Sequence, residues 1–134
     1  MDLAIPNIER VLTMKRGDWV KQLFQSIDDQ NAEAFLAFLS DKVLFRFGNA
    51  EPVSGKAAVG DVVRGFFGSI KALRHNVTET WEQQGVVICH GVVTYTRQDS
   101  SVLSVPFANI LKLDADLIKE YLIYVDVSEL YKIA

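Results

Sequence analysis

The chain has 134 residues, of which 49% are hydrophobic and 23% charged, the composition of a single folded domain rather than of a disordered polymer. Fourteen Lys and Arg against seventeen Asp and Glu give a formal charge of -3, and the densest basic spot is Lys15-Arg16, so binding driven by a nucleic-acid backbone is not expected. The single cysteine, Cys89, excludes an internal disulfide and a cysteine-held metal cluster.

The opening MDLAIPNIERVL has no basic leader and no long apolar core, so no signal peptide is expected there. Nowhere do eighteen apolar residues run together, so no membrane-spanning helix is expected, and the cytoplasm is the default location. One domain is expected over 1–134, with its core at about 18–130.

In DWVKQLFQSIDDQ, the residues Val20, Leu23, Phe24 and Ile27 recur at helical spacing, with Asp18 as the expected cap. The polar run DDQN ends this helix. Asn31 then caps a second, with Ala34, Phe35, Phe38 and Leu39 as its apolar stripe. KVLFRF changes the period to two: Val43, Phe45 and Phe47 share one face of a strand, and Leu44 and Arg46 the other. Pro52 and Gly55 bracket a loop. A third helix follows from Lys56 to Ile70, with Val59, Val62, Val63, Phe66 and Phe67 on one side. Its Gly60, Gly65 and Gly68 suit close packing against neighbours.

The remainder reads as strands. RHNVTETWEQQ turns at Gln83-Gln84-Gly85, a long strand GVVICHGVVTYT ends in the polar RQDSS, and LDAD separates the last two strands. Three helices followed by long strands predict an α+β domain, with helices on one face of a curved, mostly antiparallel sheet. The concave side of such a sheet can enclose space.

This order of parts resembles the nuclear transport factor 2-like superfamily, and the local sequence is similar to its SnoaL-like branch. LFQSIDDQNAEAFLAFLSDKVLFRF, EPVSGKAAVGDVVRGFF, HNVTETWEQQGVVICHGVVTY and VPFANILKLDADLIKEYLIYVDVSEL carry the resemblance over nearly the whole chain. It implies a cone-shaped fold with three N-terminal helices, a deep apolar pocket and frequent dimerisation. Relatives include polyketide cyclases, ketosteroid isomerases, scytalone dehydratases and limonene epoxide hydrolases, so fold alone does not select a reaction.

The ketosteroid isomerase pattern is broken: its base falls at Phe47, its oxyanion donor at Ala108, and its tyrosine at Leu23 or Phe24. Of the epoxide hydrolase set, only the last-strand aspartate has a counterpart, Asp126. In SnoaL-like cyclases a late-strand aspartate acts as acid/base, which the resemblance carries to Asp126.

Strict alternation puts Glu120, Leu122, Tyr124 and Asp126 on one face of the last strand. A desolvated pocket on that face would raise the Asp126 pKa and make it a usable base. Tyr124 would add an orienting hydroxyl. His75 shares a face with Val77, Glu79 and Trp81 and is the second acid/base candidate. The expected pocket is lined by Phe24, Phe45, Phe47, Phe66 and Trp81, with His90 and Asn109 as polar contacts. Arg46 and Arg97 read as solvated. No metal-ligand spacing and no Gly-rich cofactor loop are present, so no metal and no cofactor are expected. Two readings stay open: an acid/base enzyme (isomerase, cyclase or dehydratase type) on a small hydrophobic carbonyl compound, or a non-catalytic ligand-binding or dimeric structural member.

Overall fold

A computed structural model describes residues 15–132. The MDLAIPNIERVL segment read for a leader lies outside the described residues. Helices α1 (Arg16–Asp28) and α2 (Ala32–Leu36) are followed by strands β1 (Leu39–Phe47) and β2 (Val53–Ser54), then by α3 (Lys56–Ser69). Strands β3 (Ala72–Gln83), β4 (Val86–Thr96), β5 (Val102–Asp114) and β6 (Leu117–Val125) complete the chain. The six strands form one sheet in the order β2-β1-β6-β5-β4-β3. Every pairing is antiparallel except β1 with β6. This is the expected α+β architecture, an open sheet with helices packed on one face.

The local chemistry explains most of the boundaries. Asn31 caps α2, its side chain accepting from the Ala34 amide at 3.0 Å. Asp18 does not cap α1: that helix starts one turn earlier, at Arg16, and Asp18 lies in its first turn, where the positive end of the helix favours a carboxylate. Gln84 and Gly85 both have positive φ, the two-residue turn whose twist suits a hairpin. Ala115 and Asp116 turn the β5–β6 hairpin the same way without any glycine. Of the three glycines in α3, only Gly60 is in a close approach, towards Leu36; a Cβ at Gly65 or Gly68 would meet nothing within 4 Å.

The sheet is bent by a bulge. On β3, Val77 pairs with Gly91 and Glu79 with His90, leaving Thr78 as the extra residue. A Cβ on Gly91 would lie 2.0 Å from the Asn76 carbonyl oxygen, so the bulge requires glycine opposite it. The extra residue also reverses the alternation of β3: His75 and Val77 face the helices, whereas Glu79 and Trp81 face outward.

The core fills the concave side, with Trp19, Leu23, Val59, Val87, Leu111, Ile118 and Tyr121 fully buried. Arg97 is not simply solvated. Its guanidinium donates to the carbonyls of Leu130 at 2.9 Å and Glu129 at 3.0 Å, which pins the C-terminal turn and the buried Leu130 onto the domain. Among the described residues, no helix is long and apolar enough to cross a membrane.

Candidate functional site

Helix α1 carries its apolar stripe across the concave face, and Asp28 ends it one turn beyond Phe24. This spacing carries the Asp28 carboxylate to the beginning of β3. One of its oxygens accepts from the His75 backbone amide at 2.9 Å, and the other meets His75 Nδ1 at 2.7 Å. An ionised carboxylate only accepts, so Nδ1 is the ring nitrogen that donates to it. The imidazole sits 4.9 Å from the Phe24 ring and edge-to-face with Phe107 at 5.1 Å. Only 10% of the His75 side chain is exposed, and 18% of that of Asp28. The result is a positioned imidazole held between two phenylalanines.

Further along the inner face lie Cys89 on β4, Asn109 on β5 and Tyr121 on β6. Cys89 is directly opposite Asn109. Burial pushes the Cys89 thiol up to about 11, opposed by a contact with Thr80. The Tyr121 hydroxyl is driven far above its ordinary value, first by burial and next by Cys89; Asn109 opposes the shift and Asp28 adds to it. The Tyr121 hydroxyl meets the Asn109 side chain, the contact that opposes the shift, and neither Asn109 Oδ1 nor the hydroxyl makes a well-formed hydrogen bond to any other group.

The Tyr121 ring also lines a buried aromatic pocket between α3 and the sheet. Its other walls include Phe35, Phe45, Phe47, Phe66 and Phe67, and its volume is ≈ 40 Å³. Tyr121 packs against Phe35 at 5.4 Å and Phe45 at 5.6 Å, and Phe47 meets Phe66 at 4.8 Å. Phe24 is buried too, beside His75 rather than in this pocket.

Several expected site residues stand elsewhere. The face of β6 that carries Tyr124 and Asp126 is the outer one; Tyr121, Ile123 and Val125 point to the helices. Asp126 follows the strand end in solvent and accepts from the Ser128 backbone amide at 2.9 Å. That turn holds its carboxyl below the ordinary carboxylate range, the reverse of the rise a desolvated pocket would give. Tyr124 is 55% exposed, and Trp81 is 51% exposed because the bulge at Thr78 turns it outward. His90 is also on the outer face, its Nδ1 3.0 Å from Glu79. His90, Tyr124 and Asp126 do share a groove of ≈ 720 Å³ with Arg46, but it is an open trough on the outside of the sheet. His75 is not part of it.

Two interior residues escaped the sequence reading. Asp28 was hidden inside DDQN, which reads as a helix stop, although its i+4 spacing from Phe24 continues the apolar stripe. Tyr121 lies on the opposite face of β6 from Asp126, and alternation alone does not say which face is inside.

A family model described as a SnoaL-like domain matches residues 20–121. The chain belongs to the SnoaL-like domain family. No curated protein matches its sequence. Among solved structures, an NTF2-like protein of unknown function from Burkholderia pseudomallei K96243 superposes with a TM-score of 0.77 at 14% identity, covering 94% of this chain and 95% of that one. A protein with a ketosteroid isomerase-like fold from Catenulispora acidiphila DSM 44928, in complex with trimethylamine, gives 0.75 at 14% identity, covering 81% and 85%. A putative SnoaL-like polyketide cyclase from Shewanella putrefaciens CN-32 gives 0.73 at 13% identity, covering 97% and 94%. At these identities the SnoaL-like chain shares their fold, and its chemistry has to be argued from its own residues.

Proposed function

We propose that this SnoaL-like protein is an acid/base enzyme acting on a small hydrophobic carbonyl compound, with His75 as the base and Asp28 as its positioning partner. The observation that carries this reading is the 2.7 Å contact of His75 Nδ1 with Asp28, made between Phe24 and Phe107 and away from bulk water. A carboxylate on Nδ1 fixes the tautomer that leaves Nε2 free to accept a proton. In the proposed step, Nε2 removes a proton from carbon next to the substrate carbonyl. The imidazolium then returns that proton to another carbon, or to a departing hydroxyl. Charge on the imidazolium is balanced by Asp28, so no cofactor is required.

Because Phe24 and Phe107 pack against the imidazole and His75 does not line the ≈ 40 Å³ pocket, a substrate reaches Nε2 by displacing those two rings. Asp126 has no role in this chemistry. Exchange of the α-protons of 2-tetralone in D₂O tests the reading. The wild-type protein is expected to accelerate exchange over buffer, His75→Gln to abolish the acceleration and Asp28→Asn to reduce it. Acceleration that survives in His75→Gln, or that disappears in Asp126→Asn, overturns the assignment.

The small volume of the pocket favours a second reading, a non-catalytic binder, because sites for drug-sized ligands usually span about 300–1,000 Å³. That reading expects saturable binding of 2-tetralone without exchange. Under either reading we infer a homodimer formed through the outer sheet face, where Val92, Val102, Trp81 and Tyr124 are exposed. Light scattering at micromolar concentration would give twice the chain mass, and a monomer mass would refute it.

A further inference from the structure

The trough on the outer face of the sheet has no part in the proposed proton transfer, and its shape is set by strand register. His90 on β4, Ala108 on β5 and Tyr124 on β6 stand in line across three neighbouring strands. Side chains rise roughly perpendicular to a sheet whose strands lie about 4.8 Å apart, so the imidazole and the phenol ring stand on backbones about 10 Å apart. Between them Ala108 contributes only a methyl group, and Pro106 extends that low floor. One flat ring fits the slot. Arg46 is in register with Leu122, one outward residue before Tyr124, and Asp126 follows one outward residue after it. The two charges therefore stand towards opposite ends of the trough. The Asp126 carboxylate is taken up by the Ser128 amide, and His90 Nδ1 by Glu79. Arg46 forms no ion pair among the described residues.

We propose that this trough is a second binding site, for a flat aromatic carboxylate whose ring stands between His90 and Tyr124 and whose carboxylate meets Arg46. The slot selects the ring: an aromatic face meets it on each side, and Ala108 leaves no side chain to fill the gap. Arg46 selects the carboxylate, because its planar fork of donors matches two carboxylate oxygens. The ≈ 720 Å³ of the trough suits such a ligand, since sites for small molecules span about 300–1,000 Å³. In the homodimer inferred above, the second copy lies over this face and closes the open side. His75 does not line the trough, so an uncharged ketone and an aromatic carboxylate bind in different places.

Calorimetric titration of the full chain with 2-naphthoate and with its uncharged counterpart, 2-naphthamide, tests this. The wild type is expected to bind the carboxylate about tenfold more tightly, the worth of one charge-assisted pair. Arg46→Gln, a change at an exposed position, is expected to bring the two probes to near equality. Ala108→Leu fills the floor of the slot and Tyr124→Ala removes one wall, and each is expected to weaken both probes by about tenfold. Nitrogen-15 NMR is expected to show 2-naphthoate shifting His90 and not His75. Equal binding of the two probes by the wild type overturns the proposal, as does a carboxylate preference that survives in Arg46→Gln. Shifts at His75 in place of His90 put the ligand in the interior and likewise overturn it. Absence of binding overturns it too, and in a protein that light scattering shows to be a dimer it gives the trough to the second copy alone.

Discussion

Asp28 holds His75 at two points, accepting from its backbone amide through one oxygen and contacting Nδ1 with the other. The contact joins the last turn of α1 to the start of β3, residues 47 apart in sequence. A single carboxylate therefore fixes both a strand position and the direction of an imidazole. Asp28→Ala should lower unfolding free energy by about 2–3 kcal/mol, as expected for charge-assisted hydrogen bonds at a mostly buried site. Asp28→Asn should lose less, because an amide oxygen still accepts from the backbone. Urea denaturation of the three proteins checks the order.

Asp126 behaves oppositely to an interior base. Its carboxyl is held down by the Ser128 turn, so its folded value lies below its unfolded one. Such a group contributes stability above the unfolded value, near pH 4, and loses that contribution as pH falls through the folded value. Carboxyl-detected NMR titration should show Asp126 ionising below the ordinary range. Replacing it with Ala should lower the melting temperature at pH 7 and make little difference at pH 2.

The alkaline limb should be set by Cys89, Tyr95 and Tyr121, whose burial raises them all, Cys89 to about 11. Above about pH 9 the unfolded thiol ionises while the folded one keeps its proton, so stability falls as pH rises towards the folded value. The slope is roughly 1.4 kcal/mol per pH unit for each such group. Urea midpoints between pH 8 and 10.5 should show this fall, and Cys89→Ala should flatten it near pH 9–10.

Gly91 and Ala115 should respond in opposite directions. Gly91→Ala drives a Cβ into the Asn76 backbone and should lower stability by about 3 kcal/mol. Ala115 holds φ 51°, a left-handed conformation that strains an L side chain. Ala115→Gly should raise stability by about 1 kcal/mol. Thermal melts of both variants give the signs directly.

Much of the architecture was legible because periodicity and turn chemistry are local. Val43, Phe45 and Phe47 alternate as a strand should, Asn31 caps its helix, and Gln84-Gly85 turns its hairpin. The candidate site was legible only in part. His75 could be singled out as a mid-domain imidazole, but its partner comes from a helix end that is distant in sequence. Trp81 was misplaced by one extra residue at Thr78, since a bulge leaves no clear local signature yet flips every side chain after it. Asp126 and Tyr124 were grouped correctly on one face, and the choice of which face meets the helices depends on tertiary packing.

Nitrogen-15 NMR of the histidines, of which the chain has two, tests the central claim most directly. Before ligand is added, His75 should carry a proton on Nδ1, the nitrogen that faces Asp28. Titration with 2-tetralone should then shift the His75 Nε2 signal saturably and leave His90, on the outer face, unmoved. A His75 signal that stays still while His90 responds would place the ligand in the outer groove and contradict the account.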